Sequence, residues 1–203
     1  MQMNWNSRTI KTYNKSAEAL AKYFKGIGPR VDDIELALEL ANATSSARVV
    51  EVGCGDGRDA VEIIKRVGWY EGFDPSEGLL QIARQKLPQA PFVRAAALTY
   101  KYPSNLDVMY AFASLLHINK ADLKVVFEKA AKAIRQGGIF YISLKEGDTY
   151  TEKAKKDEYG ERMFYYYNVA LIKELAGNEF SAIHEAHQKM GKTDWFTIAL
   201  RRN

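Results

Sequence analysis

The chain is poor in the residues that usually announce special chemistry: one cysteine, three histidines and five prolines in 203 residues. A single cysteine, Cys54, excludes an internal disulfide and fits a reducing compartment. His184 and His187 fall on opposite faces of a late apolar segment and are remote in sequence from His117, so no metal site is expected. No apolar run approaches the length that crosses a bilayer. Met1–Arg8 also lacks the apolar stretch of a secretory leader, which gives a cytoplasmic location and no membrane partner as expectations. Repeats and low-complexity tracts are missing. The 29 basic and 25 acidic residues are dispersed, leaving a net charge of +4 without a basic tail or block, so nucleic acid is not expected as a partner.

What is present is apolar material arranged in alternating periods. At 47% hydrophobic residues, the chain can bury a substantial core as a single domain, expected to span residues 1–203. Residues 16–24 and 31–43 carry helical spacing, separated by Gly26, Gly28 and Pro29, and residues 1–43 read as a helical cap. Strand and helix patterns then alternate: strand 48–52, helix 59–67, strand 70–74, helix 77–87, strand 92–95, strand 106–112, helix 121–135 and strand 139–144. The run Leu106–Phe112 is continuously apolar, as expected of a parallel strand covered on both faces. Gly137-Gly138 reads as the glycine stop of the preceding helix. Residues 145–167 break the pattern with a polar, charged and then tyrosine-rich insertion, a candidate lid or roof. A helix at 169–176 and strands at 182–188 and 195–200 close the chain, the last two as an antiparallel hairpin.

The most informative segment is Val49-Val50-Glu51-Val52-Gly53-Cys54-Gly55-Asp56-Gly57-Arg58, a buried strand that breaks into a glycine turn. Asp74 closes the next strand, Tyr70-Glu71-Gly72-Phe73-Asp74, after about one helix. Strand, glycine turn, helix, strand and terminal acid make a nucleoside site, in which glycines admit a ligand against the backbone and the acid accepts ribose hydroxyls. A dinucleotide fingerprint needs its third glycine where Arg58 stands, and a long side chain there obstructs both helix packing and a pyrophosphate. Asp74 has an alternative reading as a turn-capping acid.

The spacing of Glu51, Gly53, Gly55, Gly57 and Asp74 resembles the class I S-adenosylmethionine-dependent methyltransferases. The segments 113–118, 137–147 and 157–167 are similar to a bacterial small-molecule subgroup, akin to the tellurite-resistance and ubiquinone-type methyltransferases. The resemblance implies an α/β fold: a Rossmann-like, mostly parallel seven-stranded sheet of order 3-2-1-4-5-7-6, with the last strand antiparallel and helices on both faces. It also implies S-adenosyl-L-methionine as cofactor and a small-molecule methyl acceptor.

Under that resemblance, Tyr13, Glu51, Gly53, Cys54, Gly55, Asp74, Pro75, Ala97, Leu98, Ala111 and Phe112 are expected around the cofactor. Tyr13 either closes over the methionine portion or packs between helices. The loop after the third strand often carries an acid for the adenine amino group, and Ala95-Ala96-Ala97-Leu98 lacks it. Losing one charged hydrogen bond costs about 1.5 to 3 kcal/mol. His117 either takes a proton from the acceptor or packs at the start of the next helix. Lys145, Arg162, Tyr165, Tyr166 and Tyr167 would line an aromatic, cationic roof suited to an aromatic or carboxylate-bearing acceptor. The fourth strand ends Tyr110-Ala111-Phe112-Ala113 rather than in the Asn/Asp-Pro-Pro-aromatic motif of amino-methylating enzymes. Two alternatives stand beside a small-molecule enzyme: a catalytically weak module that senses S-adenosylmethionine or S-adenosylhomocysteine, and an RNA methyltransferase.

Overall fold

Period-two alternation sorts the strand residues onto two faces, and each face has its own core. In the computed structural model, which describes residues 5–203, β1 (Arg48–Val52) turns Val49 toward one cluster and Val50 and Val52 toward the other. The strand β4 (Leu106–Phe112) divides likewise, with Val108, Tyr110 and Phe112 on the first face and Met109 and Ala111 on the second. Helices α3 (Val31–Leu40), α4 (Ala60–Ile63) and α5 (Glu77–Lys86) supply Ile34, Ile63 and Leu80 to the first face. Helices α6 (Lys120–Ala133) and α7 (Val169–Ala176) supply Leu123, Val126, Phe127 and Ile172 to the second. Each large aliphatic or aromatic side chain buried in this way contributes about 1.5–3 kcal/mol.

The remaining sheet strands are β2 (Trp69–Asp74), β3 (Phe92–Arg94), β5 (Ile134–Lys145), β8 (Phe180–Met190) and β9 (Thr193–Arg202). The seven-stranded sheet has the order β3-β2-β1-β4-β5-β9-β8. All pairs from β3 to β5 are parallel, and β9 runs antiparallel to both of its neighbours. This is the order and strand sense expected from the sequence. The strand numbers shift because residues 151–166 form a separate two-stranded ribbon, β6 (Thr151–Asp157) with β7 (Gly160–Tyr166).

Several local expectations need correction. Among the described residues three helices precede β1 rather than two: α1 (Trp5–Lys15) and α2 (Ala17–Ile27) come before α3. The helix expected over 59–67 is a single turn, α4. Gly137 and Gly138 do not stop a helix, since α6 passes directly into β5 and both glycines lie inside that strand. A Cβ at Gly138 would stand 2.9 Å from the Asp107 carbonyl oxygen and 3.0 Å from that of Leu106, at the register shift between β4 and β5. Met1–Asn4, part of the expected helical cap and of the stretch read for a leader, lie outside the described residues. Among the described residues no helix is long and apolar enough to cross a membrane.

Candidate functional site

Parallel sheets leave a crevice at the carboxyl ends of their strands, where loops diverge to opposite faces. Here a cleft of about 580 Å³ opens over the ends of β1, β2 and β4. Its floor is the glycine loop. Gly53 takes φ +71°, and a Cβ there would overlap the Cβ of Ser114, whose hydroxyl donates to the Val52 carbonyl at 2.6 Å. The amides of Gly53 and Cys54 both donate to the Phe73 carbonyl, at 2.8 and 3.1 Å, which pins the loop to β2. Gly57 lets α5 approach, because a Cβ there would stand 3.2 Å from that of Ala83.

Asp74 joins the two strand ends. Its Oδ1 accepts from the Ser76 amide at 2.7 Å and its Oδ2 from the Gly55 amide at 3.1 Å. The acid therefore caps its own turn and holds the glycine loop in one geometry. Each oxygen keeps a second lone pair, so the carboxylate can still accept two hydroxyls. At 8% exposure its burial outweighs these two bonds and pushes its pKa up to about 6.

Glu51 is buried beneath the loop and accepts the Tyr70 hydroxyl at 2.6 Å. Burial holds its pKa well above the usual carboxylate range. Beside it, Asp59 accepts from the Arg30 amide at 2.9 Å and pairs with the Arg30 and Arg58 guanidiniums at 3.0 and 2.6 Å. Arg58, at the position of a dinucleotide site's third glycine, is thus drawn down onto Asp59. Asp56 is also buried and pairs with Lys86 on α5.

The other half of the cleft belongs to α1, the turn after β4, the end of β5 and the ribbon. The Tyr13 hydroxyl lies 2.8 Å from His117 Nε2, and His117 Nδ1 lies 2.6 Å from the Met163 carbonyl oxygen. A carbonyl only accepts, so Nδ1 carries the hydrogen and Nε2 accepts from Tyr13. Burial, with Arg162 and Lys145 nearby, pushes the His117 pKa down to about 3, and the ring is neutral. Burial also raises the Tyr13 pKa. Lys145 Nζ sits 3.7 Å above the Phe164 ring, and Arg162 lies over Tyr13, Tyr159 and Phe164 at 5.3–5.7 Å from the ring centroids.

The structure brings most of the sequence-named residues to this cleft. Glu51, Gly53, Cys54, Gly55, Asp74 and Pro75 border one half, with Ala97, Leu98 and Phe112 beside them. Tyr13, His117, Lys145 and Arg162 border the other. Four are placed elsewhere. Ala111 is turned by strand alternation into the core under α6, opposite in sense to Phe112. Tyr165, Tyr166 and Tyr167 are buried in that same core rather than lining a roof. Tyr165 stacks on Tyr150, the Tyr167 hydroxyl donates to the Ile118 carbonyl at 2.5 Å, and Tyr166 lies under Lys153 and Lys155.

Sequence reasoning missed Arg30, Ser114 and Lys155, which border the cleft beside Trp195, a residue that also packs against the core. Lys155 was legible in principle. The alternation of Lys153 and Lys155 opposite Phe164 and Arg162 is a ribbon pattern hidden by the reading of 145–167 as one loop.

The strand order, the reversed β9 and a glycine loop facing an acid across β1 and β2 define a Rossmann-like methyltransferase fold. Residues 49–138 match the family described as Methyltransferase domain. It is 25% identical over 103 residues to a trans-aconitate 2-methyltransferase of Afipia carboxidovorans, covering 49% of this chain and 39% of that one. It is 24% identical over 106 residues to the ubiquinone/menaquinone biosynthesis C-methyltransferase UbiE of Campylobacter jejuni, covering 47% and 43%. The chain spans about two fifths of the length of these curated relatives. In fold it is similar to an S-adenosylmethionine-dependent methyltransferase from Clostridium acetobutylicum, with TM-score 0.72, 14% identity and coverage of 94% and 98%. It is also similar to the 1,6-didemethyltoxoflavin-N1-methyltransferase of Burkholderia thailandensis, with TM-score 0.74, 14% identity and coverage of 100% and 91%.

Proposed function

We propose that this protein transfers a methyl group from S-adenosyl-L-methionine to a small-molecule acceptor. One observation carries the reading: the buried Asp74 carboxylate, its spare lone pairs at the cleft, stands against the Gly53–Gly55 turn, where no side chain keeps a ligand from the backbone. Asp74 would accept the ribose hydroxyls, Gly53 and Gly55 would lie along the methionine portion, and Leu98, Ala97 and Pro75 would border the adenine. Glu51 would steady the loop from below, and Tyr13 would close over the methionine end.

When bound, the sulfonium supplies both the electrophilic methyl and its leaving group. The protein's part is to align the acceptor and to exclude water. Residues 145–167, as ribbon and strand end, would serve as the roof of the acceptor half, and residues 1–203 would act as one unit. The relatives named for trans-aconitate and for ubiquinone and menaquinone biosynthesis fit an acceptor of small size.

Calorimetric titration with S-adenosylmethionine and S-adenosylhomocysteine, followed by a labelled-methyl screen of metabolites and RNA, tests the proposal. Binding with transfer to a metabolite supports it. Binding without transfer favours a sensing module, transfer to RNA favours an RNA methyltransferase, and no binding overturns all three.

A further inference from the structure

The family match ends at residue 138, before the acceptor half of the cleft acquires its charge. Lys145 closes β5, while Lys155 and Arg162 face each other across the ribbon, and all three border the cleft. Arg162 is 8% exposed. Its Nη2 pairs with Asp157, its Nη1 lies 3.5 Å from the Tyr13 hydroxyl, and its buried Nε has no hydrogen-bond partner among the described residues. Leaving a buried donor unpaired costs about 1–3 kcal/mol, more for a charged group. Among the described residues, Asp157 is taken by Arg162 and the neighbouring Glu146 by His187, and no carboxylate forms an ion pair with Lys145 or Lys155. Lys145 feels this crowding: burial first, then Lys155 and Arg162, push its pKa down to about 8. Three cations and an unpaired donor thus gather beside Tyr13, which the proposed reading places over the methionine end.

In the same half of the cleft the histidine is not available as a base. Both His117 nitrogens are engaged, one with Met163 and the other with Tyr13, so neither is free to take an acceptor's proton. An acceptor that is already an anion needs no base, and carboxylates are ionised above a pKa of about 4.

We propose that the acceptor is a carboxylate-bearing small molecule, gripped by Arg162 and Lys145 with Lys155 at the rim, and methylated on a carboxylate oxygen. The inference rests on the methyl-transfer reading of this cleft. A lone pair of the carboxylate oxygen forms the new O–C bond as the C–S bond breaks, and that electron pair passes to sulfur. The products are a methyl ester and a neutral thioether, and no proton is released.

The test incubates the whole protein with methyl-labelled S-adenosylmethionine and citrate, succinate and benzoate. Their amides, a phosphate monoester, a phenol and an amine are run in parallel. Transfer to carboxylates alone is expected, with the label released as methanol by mild alkali. Arg162→Gln and Lys145→Met should each raise the acceptor KM about ten-fold or more, a loss of about 1.4 kcal/mol in binding. Affinity for S-adenosylhomocysteine should stay within about two-fold, and melting curves should show both variants folded. An alkali-stable product, preference for the phosphate monoester, or an unchanged KM in the folded variants overturns the inference while leaving methyl transfer intact. If neither nucleoside binds, the methyl-transfer reading falls. Titration of citrate into wild type and Lys145→Met then separately decides the anion site, which fails if the two bind alike.

Discussion

The Tyr13 hydroxyl donates to Nε2 of His117 across 2.8 Å, joining the first helix to the turn after β4 over 104 residues of sequence. The rings meet edge to face, with centroids 5.3 Å apart. Because Met163 fixes the opposite nitrogen as the donor, the histidine holds Tyr13 in place at the cleft.

This arrangement predicts an unusual titration. The imidazole should remain the neutral Nδ1–H tautomer through pH 5, as read by nitrogen NMR, with a midpoint near 3. Tyr13→Phe removes a donor that favours the neutral ring, and the midpoint should rise while staying below the ordinary 6.5. Since the folded pKa lies below the unfolded one, this group's stability contribution is full above pH 6.5 and is lost as pH falls toward 3, by about 1.4 kcal/mol per pH unit. His117→Gln should flatten that acid loss in denaturant titrations. A wild-type midpoint near 6.5 would contradict the geometry.

Asp74 should act in the opposite sense. Its folded pKa of about 6 exceeds the ordinary 3.8, so its contribution to stability is full below pH 3.8 and is lost as pH rises to 6. Asp74→Asn should abolish that fall between pH 4 and 6. Hydroxyls donated by a bound nucleoside favour the charged carboxylate, and affinity should therefore weaken below pH 6, by up to about ten-fold per pH unit. In the variant, calorimetry should show a loss of about ten-fold or more and no such pH dependence, about 1.4 kcal/mol for each factor of ten. Equal affinities at pH 5 and pH 7.5 in the wild type would remove the ribose assignment.

The two loop glycines should differ in cost. Gly53→Ala adds a Cβ that collides with Ser114 at a positive φ, and overpacking plus backbone strain should cost about 2–4 kcal/mol. Gly55→Ala, at φ +56°, meets only Leu79 Cδ1, at 3.8 Å, and should cost about 1–2 kcal/mol. Urea denaturation of both variants checks the order, which fails if Gly55→Ala is the worse.

The ribbon should loosen when α1 lets go. The Thr9 hydroxyl oxygen accepts from the Met163 amide at 3.0 Å, Thr12 donates to the Glu161 carbonyl at 2.7 Å, and Ser16 donates to the Tyr159 carbonyl at 2.6 Å. Thr12→Val and Ser16→Ala should each cost about 1 kcal/mol. Amide exchange at residues 159–163 should quicken, while β1 and β4 should keep their protection. Unchanged exchange in the ribbon would show that these hydroxyls do not hold it.

The hydroxyl spacing also explains why α1 was hard to read. Thr9 and Thr12 on α1, with Ser16 just past its end, recur at helical intervals, so the edge of α1 facing the ribbon is polar, and an apolar period is missing by which to recognise it. The tyrosine run misled for a related reason. In a strand, neighbours point to opposite faces, and Arg162 and Phe164 share the cleft face while Met163 and Tyr165 turn away. Composition signalled an aromatic cluster but not which members would be wet.

The sequence by itself determined the strands, the glycine turn and the acid that faces it, and the resemblance supplied the sheet order. The strands, the turn and the acid depend on local chemistry: apolar runs that must be buried, glycines that tolerate the turn, and an acid that closes the adjacent strand. Only the tertiary structure decided the other end of the cleft, where Tyr13, His117, Lys145 and Arg162 converge from four separate segments. Ribbon register and helix docking set that meeting, and neither leaves a periodic trace in the chain, because helix docking depends on contacts between residues up to 154 positions apart.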